Sequence, residues 1–208
     1  MYYLVKTPWW FKKLYPGCIW QMPATEKIIY LSFDDGPQPM VTEFVLNELK
    51  KYEATASFFC IGSNVAENQE MYRRILDEGH RVGNHTQDHL NGWHVKDREF
   101  IDNIDQAKKW IDSDLFRPPY GKITRFQIKL LKSLKYQFNI IMWTVLSGDF
   151  DEKLSKEDCL LNVLKNTGNG SIVVFHDSEK AFEKLQFVLP KVLSYFAEKG
   201  YRFESIKL

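Results

Sequence analysis

Two aspartates stand side by side at Asp34 and Asp35, straight after the apolar run Ile28-Ile29-Tyr30-Leu31-Ser32-Phe33 and straight before Gly36 and Pro37. Adjacent carboxylates repel each other and lose hydration where a chain leaves a core. Asp, Gly and Pro also favour solvated turns. A bound cation relieves the repulsion, taking one carboxylate as ligand and leaving its neighbour for proton transfer. His85 and His89 lie four residues apart in Gly83-Asn84-His85-Thr86-Gln87-Asp88-His89, a spacing at which one helical turn brings two imidazoles to the same side. Two histidines and a carboxylate make a three-ligand set for a catalytic zinc, with the fourth position left to water. Asp35, His85 and His89 are the expected ligands on this spacing.

Arg117 precedes Pro118 and Pro119, so it is held extended. It reads either as a surface arginine or as a fixed cation that tunes a carboxylate beside it. His176 emerges from Ile172-Val173-Val174-Phe175 and suits either a satisfied core position or an acid–base role. His80 precedes a strand and falls at the opposite end from these groups; His94 is a loop bystander.

A scaffold must gather residues so far apart in the chain. Short apolar runs at 28–33, 55–61, 80–84, 115–117, 138–143, 171–175 and 202–206 read as strands. Helix-period segments fall between them at about 40–52, 68–78, 97–112, 124–134, 156–166 and 183–199. Gly79 and Gly200 sit where C-terminal helix caps belong. Pro190 is awkward in a helix interior, so the last helix is expected to start late and hold it near its first turn. Strands alternating with helices predict an α/β fold with a parallel sheet. The unit length suits a distorted (β/α)7 barrel, with an open doubly wound sheet as the alternative. On either map Asp34, Asp35, His85, His89, Arg117, Asp149 and His176 all fall at carboxyl ends of strands, the face where α/β barrels build active sites.

Residues 1–27 lack a regular period but carry Trp9, Trp10, Phe11, Tyr15 and Trp20; they read as an irregular, aromatic-rich arm packed on the barrel of residues 28–208. The 28 basic residues nearly cancel the 27 acidic ones, and no basic stripe stands out, so nucleic acid is not an expected partner. Cys18, Cys60 and Cys159 are scattered and odd in number, which argues against both a disulfide framework and a thiolate zinc site. Lys6 and Pro8 break the first apolar run, giving a poor secretion signal, and no span approaches the ~20 apolar residues of a transmembrane helix. Cytoplasmic is the default location on that reading, and the oligomeric state has no signal.

The motifs together resemble the polysaccharide deacetylases of carbohydrate esterase family 4, the NodB-homology family. Ser32-Phe33-Asp34-Asp35-Gly36-Pro37 resembles the first family motif, His85-Thr86-Gln87-Asp88-His89 the second, Arg117-Pro118-Pro119-Tyr120 the third and Val174-Phe175-His176 the last. The resemblance implies Zn2+ (Co2+ or Mn2+ as substitutes) on Asp35, His85 and His89. It implies Asp34 as catalytic base, His176 as catalytic acid, Arg117 as the partner of Asp34, and the Tyr120 backbone N–H as an oxyanion donor. The implied substrate is an acetylated oligo- or polysaccharide: chitin oligomers, peptidoglycan or O-acetylated xylan. The fourth motif departs from the family pattern. Leu146 takes the place of the first aspartate, which the resemblance gives the task of orienting the acid, while Asp149 matches the second and Phe150 the tryptophan. His176 is thus expected to lack its usual carboxylate unless Asp149 or Asp177 substitutes. A carbohydrate-binding protein that keeps the metal but not the activity is the alternative function.

Overall fold

In the computed structural model, which describes residues 3–23 and 25–208, the apolar run that ends at Asp34 becomes an inner strand of a curled sheet. This strand, β2 (Ile28–Asp34), is buried along its whole length, as expected for a parallel strand covered on both faces. The strand β1 (Cys18–Ile19) precedes it. The others follow as β3 (Ser57–Cys60), β4 (Arg81–Asn84), β5 (Leu115–Phe116), β6 (Asn139–Ile141), β7 (Val145–Leu146), β8 (Ile172–His176) and β9 (Arg202–Phe203). They lie in the order β1-β6-β5-β4-β3-β2-β8-β7, with β9 added to the start of β2, and all pairings between these strands are parallel. Helices cover the sheet: α1 (Trp9–Leu14), α2 (Pro39–Lys50), α3 (Gly62–Glu67), α4 (Gln69–Asp77), α5 (Asp97–Ala107), α6 (Arg125–Leu131), α7 (Lys156–Asn166) and α8 (Glu179–Glu198). The result is the distorted (β/α)7 barrel expected from the pattern, and not an open doubly wound sheet.

Register aligns the functional ends. Asp34 pairs with His176 on one side and Phe59 on the other, and Asn84, next to His85, pairs with Phe116, next to Arg117. Below this rim Phe33 stacks between Phe58 and Phe175, with ring centroids 5.1 and 5.9 Å away.

The barrel is incomplete between β6 and β7, and the cause is local. Only residues 142–144 separate these strands, far fewer than a crossover between parallel neighbours requires. Residues before β2 fill this seam. β1 pairs with β6, Leu146 N–H donates to the Val5 carbonyl (2.8 Å), Thr7 N–H to that of Thr144 (2.9 Å), and Met22 N–H to that of Gly170 (2.9 Å). The arm is therefore part of the sheet, which its lack of period did not reveal.

Four elements escaped the sequence pattern: α1, β1, α3 and β7, each only two to six residues long. The helix expected over 97–112 stops at Ala107, and that over 124–134 at Leu131. The last helix corrects the expectation about Pro190: α8 starts at Glu179 and carries the proline in its interior. Val188, Leu189, Val192 and Leu193 around it are fully buried, and that packing outweighs the lost backbone bond. Gly79 and Gly200 do end helices in the left-handed region, at φ 82° and 76°.

Candidate active site

Asp34 is the last residue of β2 and almost fully buried. Two residues earlier on the same face is Ser32, as the two-residue period of a strand requires. Arg117, wholly buried, reaches both: Nη1 donates to Asp34 Oδ1 at 2.6 Å and to Ser32 Oγ at 2.9 Å. Its Nε and Nη2 donate to the Ile141 and Met142 carbonyls at 3.2 and 3.3 Å, and the guanidinium lies 3.9 Å from the Phe59 ring centroid. The surface-arginine alternative is thereby removed. Burial lowers the arginine's proton affinity and the Asp34 charge restores part of it. Ser32 was missed in the sequence, although a lone hydroxyl two residues before Asp34 in an apolar strand was the available sign.

Asp35, His85 and His89 converge, each offering a ligand atom within 4.8 Å of the others. Asp35 Oδ1 is 3.7 Å from His85 Nε2 and 3.2 Å from His89 Nε2, yet this buried oxygen has no hydrogen-bond partner. Burial opposes its charge, but the imidazoles around it, His89 foremost, hold Asp35 well below the usual carboxylate range. His85 Nδ1 donates to the Arg117 carbonyl at 2.7 Å, which fixes the tautomer and leaves the Nε2 lone pair facing Asp35. Burial pushes the His85 pKa down to about 4, so the ring is neutral near pH 7. His89 Nδ1 is 3.1 Å from the Tyr120 hydroxyl, and the two rings are 4.5 Å apart. An orphaned anionic oxygen facing two imidazole Nε2 atoms is a donor set that fits a divalent cation of the zinc type.

The two histidines do not meet through a helical turn, as their spacing suggested. Residues 85–91 form a loop in which Thr86 and His89 have φ of 65° and 56°. Asn84 and Asn103 shape it: Asn84 Oδ1 accepts from Thr86 N–H (2.8 Å), and Asn103 Oδ1 accepts from Gln87 and Asp88 N–H (2.8 and 3.0 Å). Asp35 (φ 82°) and Tyr120 (φ 59°) are also left-handed. Backbone held in this way against side-chain preference is typical of functional sites.

His176 does have a carboxylate. Asp149, fully buried, accepts from its ring Nδ1 and its backbone N–H, both at 2.7 Å. Of the two residues the sequence offered in place of the carboxylate missing at Leu146, it is Asp149 and not Asp177 that stands at His176. The chain curves after β7 so that the third residue beyond Leu146 reaches the histidine. Burial works against the charged imidazole, but the Asp149 carboxylate outweighs it, and the His176 pKa is raised to about 10. Asp177 faces elsewhere: its Oδ1 accepts from Gly36 N–H (3.0 Å) and its Oδ2 from the Thr42 hydroxyl (2.6 Å). His80 lies outside the cluster, its Nδ1 accepting from Ala56 N–H at 3.2 Å. Cys18, Cys60 and Cys159 are buried and free.

A family model described as polysaccharide deacetylase matches residues 21–139. A peptidoglycan-N-acetylglucosamine deacetylase of Bacillus cereus is 36% identical over 192 residues, covering 90% of each chain. The peptidoglycan-N-acetylmuramic acid deacetylase PdaC of Bacillus subtilis is 29% identical over 190 residues, covering 87% of this chain and 38% of the relative. The crystal structure of the Bc1960 peptidoglycan N-acetylglucosamine deacetylase superposes with a TM-score of 0.83 at 28% identity, covering 96% of this chain and 95% of that one. BA3943 of Bacillus anthracis, described as a pseudoenzyme of the same esterase family, superposes at 0.79 with 25% identity, over 94% and 69% of the two chains.

Proposed function

The chain belongs to the polysaccharide deacetylase family, and from that premise we propose that it removes N-acetyl groups from N-acetylglucosamine in peptidoglycan, using a divalent cation, in first place zinc. What carries this reading is the arrangement of two separate proton-handling pairs, Asp34–Arg117 and His176–Asp149, at the same rim as the Asp35, His85 and His89 cluster. The likeness to the B. cereus deacetylase over nearly the whole of both chains supports the substrate class.

Asp35, His85 and His89 would hold the cation, which when bound polarises a carbonyl and lowers the pKa of a water molecule toward about 7. Asp34 receives the proton from the attacking water; Arg117 holds the carboxylate by Oδ1 and sets its orientation. His176, with Nδ1 committed to Asp149, presents a protonated Nε2 to the departing amine. Such acid–base steps contribute of order 10²–10⁴ in rate. The Tyr120 backbone N–H is the proposed donor to the developing oxyanion, and a donor of this kind contributes about 3 kcal/mol. Acetate and a free amino sugar result.

The test is acetate release from N-acetylglucosamine oligomers, peptidoglycan fragments and acetylated xylan, with zinc-loaded enzyme. Release from the first two is expected, with Asp34→Asn reducing it at least about 10²-fold while bound zinc stays unchanged. Full activity in that variant removes Asp34 as the base. The second reading, a glycan-binding protein without turnover, is prompted by the likeness to BA3943. It predicts bound zinc and bound glycan with no acetate from any of the three substrates.

A further inference from the structure

The near-neutral chain separates its charge sharply. Residues 1–25 contain three lysines and no acid, and six basic residues and no acid lie between Asp114 and Asp149. These stretches are about ninety residues apart in sequence, but the fold joins them. α1 leads into β1 and α6 into β6, and these strands are parallel neighbours, so both helices run down the same side of the barrel. Gly17, three residues past the end of α1, lies so close to α6 that a side chain there would meet Ile128 and Lys132, and Phe11, Tyr15 and Trp20 share one apolar cluster with Ile128 and Leu131.

The outward side of this helix pair is both aromatic and basic. Trp9, Trp10, Leu14 and Phe126 are 68%, 51%, 45% and 59% exposed. Lys13 lies over the Trp9 ring at 4.8 Å, and Lys129 on α6 and Lys132 just past its end are exposed. Acids return at the border, where Asp105 on α5 accepts from the Tyr136 hydroxyl (3.0 Å).

We propose that the α1–α6 face docks on the surface of an anionic lipid bilayer. Tryptophans and lysines together match the boundary between acyl chains and anionic headgroups. A hydrated anionic polymer would satisfy the lysines but give no burial to Leu14 or Phe126. The catalytic rim lies at the ends of the strands and not on this side, so docking leaves it open to a glycan above the membrane. The acid-free character of each stretch is visible in the sequence, but a single face emerges only once β1 pairs with β6.

The test is co-sedimentation of the full chain with vesicles of phosphatidylcholine alone or mixed with phosphatidylglycerol. Binding is expected only to the mixed vesicles, weakening as salt rises. Replacing Lys13, Lys129 and Lys132 together by Glu is expected to weaken it about 100-fold or more, and Trp9→Ser with Trp10→Ser about tenfold. Melting temperature and acetate release from soluble oligomers, neither of which uses this face, report that the variants are folded. Equal binding to both vesicle types, no binding to either, or equally tight binding to soluble poly(glycerol phosphate) would overturn the proposal. The readout does not depend on turnover, so it is independent of the catalytic reading.

Discussion

Asp149 accepts two hydrogen bonds from His176, one from the ring Nδ1 and one from the backbone N–H, each 2.7 Å long. The backbone bond holds the carboxylate in place, so the imidazole cannot rotate without losing its Nδ1 partner. The ring bond also fixes the tautomer: Nδ1 carries a proton directed at the carboxylate, and Nε2 is the atom left for chemistry. A fully buried carboxylate without this partner would be costly, and the imidazolium compensates it.

Asp149→Asn removes the charge that raises the His176 pKa to about 10. Burial is then opposed only by the weaker attraction of Asp35 and Asp34, and the imidazole's proton affinity falls. The alkaline limb of the kcat profile is expected to move to lower pH by two units or more, with kcat at pH 7.5 falling about 10²-fold. The stability effect has a defined sign. A raised histidine pKa stabilises the fold fully below pH 6.5, and that contribution fades as pH rises through about 10. The gap between wild type and variant in urea unfolding should therefore narrow from pH 6 to pH 10. A constant gap would detach His176 from Asp149.

The rim itself was legible because carboxyl-end polar residues follow buried runs so abruptly: Asp34 and Asp35 after Phe33, His176 after Phe175. What decided the details was backbone geometry that residue spacing does not encode. The pair His85 and His89 looked like a helical repeat, yet left-handed residues at Thr86 and His89 bring the rings together. Leu146 against Asp149 turned on where β7 ends and how the chain bends after it. The arm filling the seam between β6 and β7 was hidden because its pairing partners are distant and its own strand is two residues long. Pro190 misled because its local cost is readable and the burial that overrides it is not.

Arg117 and Asp34 are a buried pair at 2.6 Å, with the arginine's other donors used on Ser32 and two carbonyls. Arg117→Ala strands a buried carboxylate and is expected to destabilise the fold by about 3–5 kcal/mol. Arg117→Lys keeps a charge but not the fork, and loses several of these bonds at once. It is expected to fold, to retain zinc within a few-fold, and to lose at least about tenfold in kcat. Urea unfolding, zinc titration and acetate release measure the three quantities. An Arg117→Lys enzyme with wild-type kcat would reduce the arginine to a structural counter-ion.

The orphaned Oδ1 of Asp35 predicts one tightly held cation per chain. Elemental analysis of zinc-loaded protein should give about one equivalent, falling to none in Asp35→Ala or His85→Ala. Zinc at 100 times its dissociation constant stabilises the fold by about 2.7 kcal/mol, and a chelator should reverse this. The same zinc should leave the melting temperature of His85→Ala unchanged. If His85→Ala still binds one equivalent at wild-type affinity, the cation sits elsewhere.

Gly36 tests how the ligand loop is held. Its N–H donates to Asp177 Oδ1, and the Thr42 hydroxyl, which accepts from Gln38 N–H at 2.8 Å, donates to Asp177 Oδ2. One buried carboxylate thereby ties the residue after Asp35 to the start of α2. A methyl group on Gly36 would collide with that carboxylate. Gly36→Ala is therefore expected to cost about 1–3 kcal/mol and, by displacing Asp35, to weaken zinc at least about tenfold. Gly79→Ala is the control: it meets nothing nearby, but its φ of 82° makes any side chain strained, at about 1–2 kcal/mol. The two variants lose similar stability, yet only Gly36→Ala should lose zinc affinity, because only there does the strain fall on a ligand. Zinc titrations of both, at a temperature where each is folded, separate the cases. Equal zinc affinity in the two would show that Asp35 is positioned without the Gly36–Asp177 contact.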